Sequence, residues 1–315
     1  MRTTFVLATL LLVGSSLASS QSDKQQGGRP AMSRLVSTGE LAAMLDKGNL
    51  SVVDLRSDLA EYLKGHIPEA SYLHYESLRL SKDGVPADMY HGDLYAKMFS
   101  RMGFRLDRPI VIYSAGESNN FYATFLAWIL AGYGHGSVYL LDGGYEKWVK
   151  EKRTIAKQYP KITTTSFPSK PFNLNVVSLE TVKACLPAGR RAVEKKDALL
   201  VDARPLDQFE GRAGAQMRLG HIPGAIHHFW GSDLAQTETG KIWKPVEGIR
   251  ASYEKQGVTP DKDVIVYCNT GTEATHLYFA LRNILGYPRV NVYVPSYTEW
   301  AAIEALPVET SQVNK

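Results

Sequence analysis

Short runs of β-branched and aliphatic residues alternate along the chain with stretches whose apolar positions recur at helical spacing. Val52–Leu55, Ile110–Tyr113 and Val138–Leu141 are continuously apolar or nearly so over four residues, the length and composition of buried strands. Leu199–Asp202, Val264–Tyr267 and Val290–Val294 repeat the pattern further on. Between them, Ser37 followed three residues later by Glu40 is a capping box that opens a helix over Leu41, Met44 and Leu45. After Cys268, apolar residues at Ala274, Leu277, Tyr278, Leu281, Ile284 and Leu285 fall on one helix face, which Gly286 ends. This alternation predicts an α/β fold with mainly parallel sheets and helices on both faces, in which ligands gather at the carboxyl ends of strands.

The pattern is a duplication. Val52-Val53-Asp54-Leu55-Arg56 recurs as Leu200-Val201-Asp202-Ala203-Arg204, and Gly65-His66-Ile67-Pro68 as Gly220-His221-Ile222-Pro223. Val111-Ile112-Tyr113-Ser114 matches Ile265-Val266-Tyr267-Cys268, and Ala131-Gly132-Tyr133 matches Leu285-Gly286-Tyr287, both at an offset of 154. Landmarks repeated in one order mark two copies of a domain. We place the first at 34–152 and the second at 172–308, joined by a Pro-, Lys- and Thr-containing linker at 153–171 and followed by a tail at 309–315.

At the amino terminus, Met1 and Arg2 precede an apolar run from Phe5 to Val13 and then Gly14, Ser15, Ser16 and Ala18. This is the order of a secretory signal peptide, expected to span 1–18 and to be followed by a polar segment at 19–33. The run is too short to span a bilayer, so the expectation is an exported protein, periplasmic or secreted, with no membrane span. With 315 residues, 44% hydrophobic and 22% charged, the chain can bury a substantial core. Lys plus Arg exceed Asp plus Glu by only 36 to 32, too mild a bias to imply nucleic acid. Composition leaves the oligomeric state open.

There are two cysteines, Cys185 and Cys268, too few for a disulfide scaffold or an all-Cys zinc site. Cys185 sits near Leu179, Val182 and Leu186 in a predicted helix and reads as a half-buried packing residue. Cys268 ends a strand and heads the loop Asn269-Thr270-Gly271-Thr272-Glu273-Ala274. A tight turn from strand to helix leaves backbone N–H groups aimed at the sulfur, where they favour a thiolate and could hold an anionic sulfur substrate. Copy one has Ser114 at this place, so packing does not require sulfur there. Phosphatase-like chemistry needs an Arg six residues after the cysteine; Ala274 stands there, and no Lys or Arg lies between Cys268 and Thr275.

Taken together, the doubled Val-Asp-x-Arg and Gly-His-Ile-Pro landmarks, the cysteine loop and the later Glu-Trp resemble the tandem-domain rhodaneses, which include thiosulfate and 3-mercaptopyruvate sulfurtransferases. The resemblance covers about residues 34–305. It implies an inactive first domain and a catalytic second one. Cys268 would take sulfane sulfur from a small anionic donor, thiosulfate or 3-mercaptopyruvate, and pass it as a persulfide to cyanide or a thiol, with no metal or organic cofactor. It also implies that Arg204 orients the loop or meets the donor, and that Asn269, Thr270, Gly271, Thr272, Glu273 and Ala274 form the binding loop. Asp202, His221, Trp148 and Trp300 read as structural, and Arg212 and Arg218 as surface charge. Asn269 and Thr270 before Gly271 resemble the mercaptopyruvate type; Glu273 matches neither type and would repel an anionic donor unless it points outward or is balanced by Arg204. The alternatives are a binding module that has lost turnover and a redox sensor that pairs Cys185 with Cys268.

Overall fold

The computed structural model describes residues 32–82, 84–115, 120–174, 176–186 and 198–310. The expected leader at 1–18 and most of the polar segment after it lie outside the described residues, as does most of the tail. The first half runs β1 (Arg34–Val36), α1 (Thr38–Lys47), β2 (Ser51–Asp54), α2 (Leu59–Lys64) and β3 (Ala70–Tyr72). A 3-10 turn over Tyr75–Leu78 leads into a hairpin of β4 (Arg79–Lys82) and β5 (Val85–Met89). Then come α3 (Gly92–Arg101), β6 (Ile110–Tyr113), α4 (Phe121–Gly132), β7 (Val138–Leu141) and α5 (Gly144–Lys150). Five strands pair in the order β1-β7-β6-β2-β3, and every neighbouring pair is parallel.

The second half repeats this plan with α6 (Leu179–Lys183), β8 (Ala198–Asp202), α7 (Leu206–Phe209) and β9 (Ile226–His227). A hairpin of β10 (Leu234–Thr237) and β11 (Gly240–Trp243) follows, then α8 (Val246–Glu254), β12 (Asp263–Tyr267), α9 (Thr272–Tyr278), β13 (Val290–Val292) and α10 (Ser296–Ala302). Its parallel sheet has the order β13-β12-β8-β9. The strand that would match β1 shrinks to one bridge, Val176 to Val292. The six expected strands form within a residue or two of their places, and the Ser37–Glu40 box caps α1 with both reciprocal bonds. The helix after Cys268 departs from regularity, since α9 widens into a π-helical stretch over Phe279–Ile284 before Gly286.

Because side chains alternate along a strand, each sheet feeds two clusters. In the first half, Val52, Val111 and Tyr113 pack with Leu41, Ile67 and Trp148 on one face. In the second, Leu200, Ile265 and Tyr267 pack with Val182, Tyr297 and Trp300. The opposite faces of both sheets, through Val53, Ile112, Val201 and Val266, share one cluster with α4 and α9. This explains why α4 is apolar nearly all round: residues Ala123–Gly132 are buried along its whole circumference, between its own sheet and the other half. The Thr124 and Thr275 hydroxyls meet at 3.1 Å across that interface. The two copies are therefore built around a common interior, with the carboxyl end of β12 at the seam between them.

Candidate active site

Strand β12 delivers Cys268 to its carboxyl end, where α10 holds its backbone and α10 and α7 hold the next residue. Cys268 N–H donates to Ser296 Oγ at 3.2 Å, and its carbonyl accepts from Tyr297 N–H at 3.0 Å. Asn269 O accepts from Thr298 N–H at 3.1 Å, while the Asn269 side-chain amide donates to Gln208 Oε1 on α7 at 2.9 Å. Gly271 turns the chain into α9 with φ of +83°, and a Cβ there would lie 2.8 Å from Val294 O, so only glycine fits without displacing the segment after β13. Ser296 has φ of +56° where its counterpart Gly144 in copy one has +57°. A serine held in this glycine conformation is strained, and its hydroxyl supplies the acceptor for Cys268 N–H while donating to Tyr293 O at 2.7 Å.

The loop N–H groups of Thr270 and Ala274 favour the ionised form of the sulfur, the direction the sequence suggests. They do not prevail. Cys268 has no exposed surface, and burial pushes its thiol far above the ordinary range; the negative charge of Glu273 pushes it further. With the sulfur buried, these influences favour the thiol over the thiolate. Glu273, at the start of α9, is half-buried. Burial raises its own carboxyl, opposed by Cys268 and by the charge of Arg204.

Arg204 sits close by, 1% exposed, but its described bonds do not go to the loop. Its guanidinium grips Asp202 at 2.6–3.1 Å, donates to Gly220 O at 2.8 Å and lies 4.0 Å over the Tyr297 ring. Arg56 makes the same set with Asp54, Gly65 O and Tyr145 beside Ser114. The Asp-x-Arg motif thus locks a strand end to the Gly-His turn in both copies and, through Tyr297, steadies the Cys268 carbonyl. His221 stacks on Phe209 and bonds Phe209 O at 2.6 Å, and His66 does likewise with Tyr62. The indole N–H groups of Trp148 and Trp300 donate to Thr154 O and Pro307 O. Arg212 pairs with Glu210 at the surface, but Arg218 is not surface charge: its fork caps the end of α10 through Trp300 O, Ala301 O and Ile303 O.

One residue of the site comes from the other half. Arg79, at the start of β4, is 8% exposed at its side chain, and its Nη1 donates to Thr270 O at 3.0 Å, Thr270 Oγ1 at 2.8 Å and Thr272 Oγ1 at 2.9 Å. Its remaining donors hold Glu76 at 2.8 Å, and its charge is felt at Cys268. The copy without the cysteine therefore contributes the cation that grips the cysteine loop. Cys185 lies elsewhere, giving its thiol hydrogen to Thr181 O and packing on the far face of the second sheet from Cys268. That placement opposes a Cys185–Cys268 bond. The cleft of about 750 Å³ between Leu106 and Ile162 belongs to the first half, away from this chemistry.

A domain model for the rhodanese-like domain matches residues 37–151 and again 189–303, which takes in both halves and places Cys268 at the carboxyl end of a central strand of the second. This chain belongs to the rhodanese family. Among curated relatives, the sulfur carrier protein TtuD of Thermus thermophilus is 30% identical over 285 residues, covering 87% of this chain and 95% of that protein. The thiosulfate sulfurtransferase of Corynebacterium glutamicum is 28% identical over 294 residues, covering 90% and 92%. Among solved structures, SseA from Escherichia coli, described with the 3-mercaptopyruvate sulfotransferases, aligns with a TM-score of 0.71 at 26% identity over 83% of this chain and 97% of that one.

Proposed function

We propose that this rhodanese is a sulfurtransferase that carries sulfane sulfur on Cys268. The observation that bears most weight is the place of Cys268 at the carboxyl end of β12, at the head of a loop that Gly271 turns into α9, in the copy that has a cysteine where the other has Ser114. In the first displacement the Cys268 thiolate attacks the outer sulfur of thiosulfate or 3-mercaptopyruvate, and sulfite or pyruvate departs. In the second, cyanide or a thiol removes the sulfur and restores Cys268. The loop N–H groups hold negative charge on sulfur in both steps. Relatives that are thiosulfate sulfurtransferases at about 30% identity support the general activity.

Since Cys268 has no exposed surface, entry of the donor requires the segments around it to move. The N–H groups then act on a hydrated, ionisable sulfur. Steady-state transfer from several donors to cyanide and to a dithiol tests this: we expect ping-pong kinetics lost in Cys268→Ser. Full activity in that variant would refute it. The sealed sulfur also suits a second reading, a binding module without turnover, which equal ligand affinity in wild type and Cys268→Ala with no turnover would favour. We also propose that residues 1–18 direct export, so that the mature protein is recovered outside the cytoplasm with its leader removed; a full-length cytoplasmic chain would contradict this.

A further inference from the structure

The cleft of about 750 Å³ in the first half opens at the amino ends of β2 and β6, the opposite end of that sheet from Ser114. Residues 102–108 form one side of it and the linker over residues 160–166 another, and Glu69 stands at its edge. Glu69 has φ of +62°, where the second copy has Gly224 at +78° in the same Ile-Pro-x-Ala turn. A glutamate in this left-handed conformation is strained, and its exposed carboxylate has no hydrogen bond or ion pair among the described residues. On the linker, Lys161 is likewise unpaired, and the main chain of residues 161–164 makes no hydrogen bond among the described residues. Arg108 gives Nη2 to Leu50 O, but its Nε is buried without an acceptor. The other two charges, Arg105 and Asp107, close on each other at 2.6 and 2.9 Å. Leu50, Met102, Leu106 and Ile162 make the rest of the lining partly apolar.

We propose that this cleft binds a short peptide with free termini, its ammonium on Glu69 and its carboxylate on Lys161 and Arg108. Unpaired cations call for an anionic group and an unpaired carboxylate for a cationic one, so a ligand that satisfies the cleft carries both charges. A molecule with a single charge leaves one of these groups without a partner. The unbonded main chain of residues 161–164 offers N–H and C=O groups to the amides between the two ends, the pairing by which extended peptides are held. Apolar side chains of the peptide then cover Leu50, Met102, Leu106 and Ile162, and the cleft has the size of a small-ligand site. Glu69 is the most telling residue. Glycine fills the same turn without strain in the second copy, so the glutamate stands there at a cost to stability that no contact within the chain offsets. The proposal is independent of the chemistry at Cys268.

The test is isothermal titration calorimetry of the whole protein with trileucine, with its N-acetyl form and with its C-terminal amide. Trileucine is expected to bind, and blocking either end to weaken it about tenfold, the worth of one charge-assisted hydrogen bond at a partly exposed site. Glu69→Gln should bring trileucine down to the affinity of the acetylated peptide, and leave the acetylated peptide bound as by wild type. Lys161→Ala should act in the same way on the amide. Glu69→Gly should weaken trileucine as Glu69→Gln does while raising the melting point, because it relieves the left-handed strain. That opposite movement of affinity and stability is a signature that a merely structural role for Glu69 would not give. No heat with trileucine, an affinity that survives blocking of both ends, or unchanged affinity in Glu69→Gln and Glu69→Gly would overturn the proposal.

Discussion

A thiol without exposed surface beside a carboxyl is inert until its proton leaves or its cover opens, and the residues around Cys268 govern both. Gly271 sets the loop. Replacing it with Ala would place a methyl 2.8 Å from Val294 O in a left-handed conformation. We expect about 1–3 kcal/mol of lost stability and a large loss of turnover, read by thermal unfolding and by rate; a variant with wild-type rate and melting point would contradict this. His276, on α9, illustrates how burial writes a pH dependence. Neither of its ring nitrogens has a hydrogen-bond partner among the described residues, and Asp233 Oδ2 is 3.9 Å away. Burial, opposed by Asp233 and reinforced by His228, lowers its pKa from 6.5 to about 4. The unfolded chain therefore binds a proton at higher pH than the folded one does, so stability is lost as pH falls from about 6.5 toward about 4, by roughly 3 kcal/mol in all. His276→Phe, which keeps the stack on Trp243, should flatten denaturation midpoints over that range. Unchanged pH slopes would show that His276 is not the cause.

At the scale of elements, the site depends on a hairpin that belongs to the other copy. Arg79 at the head of β4 ties Thr270 and Thr272 with one nitrogen and is held in aim by Glu76. Hydrogen bonds from charged groups are worth about 1.5–3 kcal/mol, so Arg79→Ala should lower the melting point measurably and, by leaving the cysteine loop unheld, lower kcat/KM about tenfold. Arg79→Lys should recover little, lacking the planar fork; full activity in Arg79→Ala would remove the hairpin from the account. The strands, the capped α1 and Cys268 at a strand end were legible in the chain because periodicity and repetition report backbone and burial directly. Arg79 was not legible, since its partners are about 190 residues away and its counterpart position carries no matching landmark. Arg204 shows the converse. Its motif was visible, but only the structure reveals that Asp202, Gly220 and Tyr297 consume its guanidinium, as Asp54, Gly65 and Tyr145 consume that of Arg56.

For the whole molecule, one apolar cluster draws on both sheets, with α4 and α9 packed between them. Neither half has a complete interior alone, so heat should unfold the protein in a single cooperative transition; two separated calorimetric transitions would contradict the shared core. This arrangement also explains why a copy without a cysteine is kept, since it buries α9 and supplies Arg79 to the seam where Cys268 lies. The central claim, that this seam exists to load and unload sulfur on Cys268, is tested most directly by intact-protein mass after exposure to 3-mercaptopyruvate or thiosulfate, followed by peptide mapping. The account expects a gain of one sulfur atom, located on the Cys268 peptide and removed by an added thiol. A protein whose mass does not change with any sulfur donor, or whose added sulfur maps to Cys185, would contradict it.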